Sequence, residues 1–169
     1  ELSSIEGLGS CTMIASDKTG TLTQNSLSVT ALISPKKIYE EKEFSSDDIL
    51  NCAILCNEAV INKDGDELVF VGDQVDIDLA KYAFGVDPKI IKQYETANLV
   101  NQLPYEPVNS CAVSVYEQET SYIHYLKGAP EAVVSQCLMG EEEKSSVYAQ
   151  VNNWASKGYR TIALAKKVN

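Results

Sequence analysis

The sequence predicts an α+β fold in which an antiparallel β-sheet is flanked by helices, preceded by a short strand and loop of α/β type. β-rich runs joined by polar turns predict the sheet, and helix-start signals between them predict the helices. The apolar run at residues 11–15, which ends at Ser16 and Asp17, is typical of a buried parallel strand. The pattern changes near residue 23, so we divide the chain into residues 1–23 and 24–169.

The elements after this boundary follow from local patterns in chain order. Alternating apolar residues predict strands, clusters of Ser and Asp predict helix starts, and Asn-Lys-Asp-Gly predicts a turn at 62–65. The predicted strands lie at 26–34, 37–44, 68–71, 112–116, 122–126 and 159–166, and the predicted helices at 45–59, 73–84, 88–96, 130–136 and 144–157. Glu141, Glu142 and Glu143 are assigned to a solvated loop before the last helix, which Gly158 ends.

Composition limits the classes of partner. The formal net charge of −10 argues against nucleic acid or an anionic membrane as a partner, since those surfaces select basic patches. No apolar run approaches the ~20 residues that span a bilayer. An odd number of cysteines favours a reducing compartment, and we interpret Cys52 and Cys56 as buried apolar residues. The start at Glu1, without a leader, suggests a piece of a longer protein.

The segment 17–23 (DKTGTLT) carries the clearest chemistry. A carboxylate at the end of a parallel strand lies where open α/β sheets place their ligands, and Gly20 permits a tight turn near a ligand. Lys18 and the threonine hydroxyls can hold phosphate oxygens, while Asp17 can attack phosphorus. From spacing alone, a plain structural turn is the favoured interpretation.

All seven residues of this string match the phosphorylation signature of P-type ATPases, and the segment therefore resembles that family. The resemblance implies that Asp17 accepts the γ-phosphoryl group of ATP beside Lys18. It also implies that Thr19 contacts the phosphate and that Asp17 and Thr19 hold Mg²⁺, the expected cofactor. Phosphatases of the wider HAD superfamily have a second aspartate at the position of Thr19. Because Thr19 replaces this second aspartate, the resemblance predicts a longer-lived acyl-phosphate on Asp17.

Two further segments resemble the nucleotide-binding domain of the same family. Residues 127–131 (KGAPE) match one of its motifs, which implies that Lys127 and Gly128 line the adenine end of a pocket. Residues 158–165 are similar to its G-x-R-x-L-A-x-A strand, which implies a phosphate contact from Arg160 and an apolar wall from Ile162.

Two more candidate nucleotide-binding residues come with departures from the family pattern. Asp76 stands where the family has a glutamate near the adenine amino group, although acids also favour a helix start by themselves. Tyr105, after Leu103 and Pro104, is the candidate for stacking on adenine, and a core aromatic is the alternative. The family's following Arg and Lys are absent at 109–111. We therefore expect weak ATP binding, with a Kd of roughly 0.1–10 mM.

The resemblance as a whole implies the ATP-binding cytoplasmic domain of an integral membrane cation pump, which couples aspartyl phosphorylation to ion transport. His124 is not followed by proline, which favours the branch that resembles Ca²⁺ and Na⁺/K⁺ pumps. The implied partners are ATP and the phosphorylation, actuator and transmembrane domains of the same pump. The chain alone is not expected to turn over. The alternative function is a stand-alone nucleotide-sensing or HAD-like phosphatase module.

Overall fold

A computed structural model describes residues 11–24, 26–34, 38–40, 47–64 and 67–169, and all statements below refer to these residues. The first element among the described residues is a single π-helical turn at Lys18–Leu22. The strands are β1 (Ala31–Ile33), β2 (Ile38–Glu40), β3 (Val60–Asp64), β4 (Glu67–Val71), β5 (Asn98–Glu106), β6 (Cys111–Gln118), β7 (Ser121–Gly128) and β8 (Ala163–Val168). The helices are α1 (Asp47–Leu55), α2 (Gln74–Val86), α3 (Ile90–Thr96), α4 (Pro130–Gln136) and α5 (Glu141–Ala155).

The main sheet is antiparallel and has four strands in the order β5-β6-β7-β8. β6 and β7 form a hairpin in which Gln118 lies opposite Ser121, and Glu119 in the turn has a positive φ of 53°. Two separate hairpins, β1-β2 and β3-β4, accompany this sheet. The predicted antiparallel sheet with flanking helices is confirmed.

β5 forms one outer edge of this sheet, and all nine of its residues are exposed. Its pairing with β6 is irregular between Leu99 and Asn101 and again between Leu103 and Glu106. Pro104 lies within the second irregular stretch and has no N–H to donate. The strand therefore departs from a regular ladder just before its end.

Helix α1 forms the centre of the core. Leu50, Cys52, Ile54 and Cys56, in or just after this helix, are each at most 2 % exposed, and α1 packs on β7, β8, α2 and α3. The Cys56 thiol donates to the Ala112 carbonyl at 3.4 Å. Burial raises the pKa of both thiols, and the prediction that these cysteines are buried apolar residues is confirmed.

Two tyrosines in the sheet should make the free energy of unfolding depend on pH. Burial raises the pKa of Tyr116 and of Tyr125 from 10.0 to about 12. The Tyr116 hydroxyl donates to the Leu55 carbonyl at 2.8 Å, and the two rings meet edge to face at 6.2 Å. An unfolded chain loses these protons first, so the free energy of unfolding should fall as pH rises from 10 to 12.

Urea denaturation at pH 9 and pH 11.5 checks this expectation. The stability lost between the two pH values should be smaller in Tyr116→Phe, because one of the two shifted groups is gone. The remaining loss in that variant includes the titration of Tyr125 and of the buried thiols. Equal losses in the wild type and the variant would show that Tyr116 titrates normally in the folded chain.

The predicted buried strand at 11–15 is wrong. These residues form no strand, and Met13 and Ile14 are 85 % and 87 % exposed. A parallel strand is buried only when neighbouring strands and covering helices surround it. No strand of the described ranges pairs with this segment, so its apolar pattern is left without a partner.

Three further elements also differ from the sequence prediction. Helix α1 ends at Leu55 instead of Ala59. Strand β1 covers only Ala31–Ile33 of the predicted strand at 26–34. Its partner β2 lies within the predicted strand at 37–44, of which residues 37 and 41–44 lie outside the described residues. Residues 62–64, predicted as a turn, belong to β3, with Asp64 opposite Glu67, while residues 65 and 66 lie outside the described residues.

The last helix begins at Glu141, so the prediction that residues 141–143 form a loop is wrong. Acidic residues favour the positive N-terminal end of a helix, and the Gly140 N–H donates to the Glu143 carboxylate at 3.3 Å. After Gly158, which has a φ of 85°, Tyr159 packs its ring on Trp154 at 4.9 Å. β8 starts only at Ala163, which lies opposite Gly128 at the end of its partner strand β7.

Helix length and apolarity give no membrane-crossing candidate. Within the ranges described above, no helix is both long and apolar enough to span a bilayer.

Candidate functional site

Four of the six predicted nucleotide-binding residues lie near one end of the four-stranded sheet. The row of paired residues at this end runs from Glu106 through Cys111 and Gly128 to Ala163. Tyr105, Lys127 and Ile162 each directly precede a member of this row. Three strand spacings of about 4.8 Å make the row about 14 Å wide.

Asp76 and Lys127 form a buried ion pair beneath this row. They are 6 % and 5 % exposed, and Asp76 Oδ1 accepts a hydrogen bond from Lys127 Nζ. Asp76 Oδ2 accepts the backbone N–H of Glu58 at 2.9 Å. Both carboxylate oxygens of Asp76 therefore have partners inside the protein.

The start of helix α2 positions Asp76. Asp73 caps the helix, and its side chain accepts the N–H of Val75 at 2.9 Å. Asp76 then lies in the first turn, where the helix dipole favours a negative charge. The local sequence therefore positions the Asp76 carboxylate. Its partner Lys127 lies 51 residues further along the chain.

Asn57 fastens the loop after α1 to the same helix start. Its side-chain amide nitrogen donates to the carbonyl oxygens of Ala53 and Asp76, both at 2.8 Å. Its amide oxygen accepts the N–H of Ala59 at 2.8 Å. One side chain thus ends α1 and fixes Glu58 beside Asp76. Sequence analysis missed this residue, although an asparagine just after a helix is a common C-terminal signal.

Tyr105 lies at the outer end of the row and is 51 % exposed, so it is not a core aromatic. Its backbone N–H donates to Glu58 Oε1 at 2.7 Å. The hydrogen bonds run from Lys127 through Asp76 and Glu58 to Tyr105. Glu58 was also missed, because no local pattern marks an exposed glutamate after a helix as a site residue.

Gly128 is required by the close approach of two backbones. A Cβ at this position would lie 2.3 Å from the Ser110 carbonyl oxygen and 2.6 Å from Cys111 Cα. The same Ser110 carbonyl accepts the N–H of Ala129 at 2.8 Å. Any larger residue would push the loop before β6 away from the end of β7, so Gly128 allows these two backbone segments to pack against each other.

Arg160 and Ile162 border a different space. They line a cavity of about 420 Å³, which α4, α5, residues 27–33 and residues 158–164 enclose with mostly apolar side chains such as Val133 and Trp154. Arg160 itself is exposed. Asp76, Tyr105, Lys127 and Gly128 do not line this cavity. The structure therefore brings four predicted residues together and sets Arg160 and Ile162 at the neighbouring end of the row.

The segment 17–23 is a separate, exposed part of the chain. Asp17 and Lys18 are exposed, and the turn closes with the Thr23 N–H donating to the Lys18 carbonyl at 3.1 Å. Gly20 has a φ of 76°, which a glycine adopts without strain. This backbone presents the Asp17 carboxylate to solvent at the start of the turn.

The donor types at this turn fit Mg²⁺. Mg²⁺ prefers oxygen ligands and is often held by one or two carboxylates together with substrate phosphates and water. The Asp17 carboxylate and the Thr19 backbone carbonyl are donors of that kind. Among the residues with described positions, no cluster of three His, Cys, Asp or Glu side chains could hold a metal by itself.

Comparison with known proteins adds an independent observation. The family profile described as "P-type ATPase, cytoplasmic domain N" matches residues 45–169. A probable cation-transporting P-type ATPase of Mycoplasma genitalium is 29 % identical over 99 % of this chain and 18 % of its own length. A calcium-transporting ATPase 1 of Lactococcus lactis is 26 % identical over 98 % of this chain and 20 % of its own length.

A third relative is the sodium/potassium-transporting ATPase alpha subunit of Hydra vulgaris, which is 29 % identical over 84 % of this chain and 16 % of its own length. The chain thus spans about a fifth or less of the curated relatives described here.

Proposed function

Because this chain belongs to the cytoplasmic N-domain family of P-type ATPases, we propose that it binds ATP within a cation pump and supplies the phosphorylated aspartate. Residues 24–169 form the nucleotide-binding domain, and residues 1–23 belong to the phosphorylation domain. The exposure of every described side chain in 11–24 supports a boundary there. Family membership supports this function over a stand-alone phosphatase.

One observation carries the nucleotide-binding proposal. An exposed aromatic ring near the end of β5 and an exposed arginine shortly before the start of β8 flank one end of a single sheet. The adenine base stacks on Tyr105, while buried Gly128 holds the loop before β6 against the end of β7. The phosphates extend along the ~14 Å row toward Arg160, whose planar guanidinium suits phosphate oxygens.

Lys127 acts from below the site, since it is 5 % exposed and bonded to Asp76. Its proposed role is structural: the ion pair with Asp76 stabilises the protein beneath the site. The exposed residues make the direct contacts with the nucleotide. Ile162, half-buried at the start of β8, supplies an apolar wall beside the sugar or base.

In the proposed transfer, an Asp17 carboxylate oxygen attacks the γ-phosphorus of ATP. The bond from that phosphorus to the β,γ-bridging oxygen breaks, and ADP leaves with the electron pair. Mg²⁺, held by Asp17, the Thr19 carbonyl and phosphate oxygens, would neutralise charge on the phosphates. Thr19 stands where an acid or base would otherwise assist hydrolysis, so the aspartyl-phosphate persists.

The other partners follow from this role. The phosphorylation, actuator and transmembrane domains of the same pump complete the Mg²⁺ site and couple phosphorylation to cation movement. In that setting this chain is a cytoplasmic domain of an integral membrane protein.

Titration of ATP into the 169-residue chain, followed by NMR, tests the binding proposal. We expect a Kd of roughly 0.1–10 mM, because the Arg and Lys of the family are absent at 109–111. The largest chemical-shift changes should lie around Tyr105 and Gly128. Tyr105→Ala should weaken binding about tenfold through lost stacking. Tyr122→Ala, an exposed tyrosine at the opposite end of the sheet, is the matched control and should bind normally.

Two outcomes would contradict the proposal. Nanomolar affinity would show that contacts outside this set dominate, and shifts confined to the cavity beside α5 would place the nucleotide elsewhere.

A further inference from the structure

Asp76, whose carboxylate is expected to contact the adenine base, already accepts hydrogen bonds on both of its oxygens. Asp76 stands where the resemblance implies a contact to the adenine amino group, yet it is 6 % exposed. One of its oxygens accepts from Lys127 and the other from the Glu58 N–H. An aspartate is also one methylene shorter than a glutamate, so it reaches less far above the sheet. A second carboxylate is therefore needed if the base is to be read.

Glu58 has the position and the free capacity for this contact. Its Oε1 lies 2.7 Å from the Tyr105 nitrogen, so its carboxylate lies beside the residue on which the base stacks. The residue is exposed. A carboxylate offers about four acceptor positions, and the Tyr105 N–H uses one of them.

The backbone on both sides of Glu58 is fixed. Its own N–H is bonded to Asp76, and Asn57 bonds the carbonyls of Ala53 and Asp76 and the N–H of Ala59. Gly72 packs directly on Ala59, where a Cβ would come within 2.9 Å of the Ala59 Cα. Little ordering is then left for the moment of binding, which favours a directional contact.

We propose that Glu58, and not Asp76, accepts a hydrogen bond from the C6 amino group of a purine stacked on Tyr105, and so selects adenine. This inference rests on the proposed nucleotide binding. Adenine carries a donor at C6, whereas hypoxanthine and guanine carry a carbonyl oxygen there. At the C6 position, a carboxylate accepts a charge-assisted hydrogen bond from the adenine amino group, whereas it is repelled by the carbonyl oxygen of hypoxanthine or guanine.

The test compares the binding of ATP, ITP and purine riboside triphosphate, which lacks the C6 substituent, to the 169-residue chain by NMR titration. The wild type should bind ATP about tenfold more tightly than either analogue. Glu58→Gln should reduce the ATP-to-ITP preference to about unity, because an amide can donate to the inosine carbonyl. Glu117→Gln, an exposed carboxylate at the opposite end of the sheet, is the matched control and should keep the preference.

The outcomes separate this inference from the proposal beneath it. If the wild type binds none of the three nucleotides, the proposed function fails. If it binds ATP and Glu58→Gln keeps the full preference, the assignment to Glu58 is wrong and the binding proposal stands. If Glu58→Gln does not fold, the wild-type comparison decides, because equal affinity for ATP and purine riboside triphosphate would overturn the amino-group contact.

Discussion

Replacing Lys127 by methionine should lower the free energy of unfolding by about 3–5 kcal/mol, because it leaves the Asp76 carboxylate buried without its cation. Methionine keeps most of the side-chain volume, so lost packing contributes little. The remaining hydrogen bond from the Glu58 N–H does not replace a full positive charge. Urea denaturation followed by circular dichroism measures the change.

Two comparisons separate burial of the charge from loss of an ion pair as such. Lys63→Met breaks the Lys63–Glu95 pair, whose side chains are 56 % and 47 % exposed, and should cost no more than about 1 kcal/mol. The double variant Asp76→Asn with Lys127→Met removes both charges and should recover much of the loss. A similar small cost for Lys127→Met and Lys63→Met would mean that water reaches the Asp76–Lys127 pair.

Asp17→Asn in the full-length protein should abolish the acid-stable, hydroxylamine-sensitive phosphoenzyme formed from labelled ATP. An amide nitrogen or oxygen is a far weaker nucleophile than a carboxylate, and removal of a nucleophile can cost about four orders of magnitude or more in rate. Nucleotide affinity should stay within about twofold of the wild type, since Asp17 lies outside the row at the end of the sheet. The experiment therefore separates binding from transfer.

Asp47→Asn makes the same chemical change at an exposed carboxylate in the first turn of α1, and it should leave phosphoenzyme formation intact. Persistence of the phosphoenzyme in Asp17→Asn would place the acceptor on another residue. Loss of ATP affinity in the same variant would show that Asp17 also belongs to the binding site.

The sequence predicted the elements whose signals are local. The β6-β7 hairpin follows from two β-rich runs on either side of a polar turn, and α2 follows from its Asp73 cap. The strand at 11–15 failed because its burial depends on neighbours, which an apolar pattern cannot supply. Likewise, the acids at 141–143 were assigned to a loop although they favour a helix start.

Part of the candidate site could be predicted from the sequence, but the contacts between its residues could not. Tyr105, Lys127 and Gly128 were identified by resemblance, and the pairing register places them together. No pattern could show that Lys127 and Asp76 neutralise each other, because the two residues are 51 positions apart in the chain. For the same reason Glu58 gave no signal, since its position depends on contacts with Asp76 and Tyr105.

The outer edge of β5 has a consequence for self-association. An exposed strand edge offers unpaired N–H and carbonyl groups to a strand of another molecule, and regular, flat edges are the ones that aggregate. Here the Tyr105 N–H is already bonded to Glu58, and two register irregularities interrupt the ladder. The same stretch that leads the chain to Tyr105 therefore makes this edge a poor template for intermolecular β-pairing, although all its residues are open to solvent.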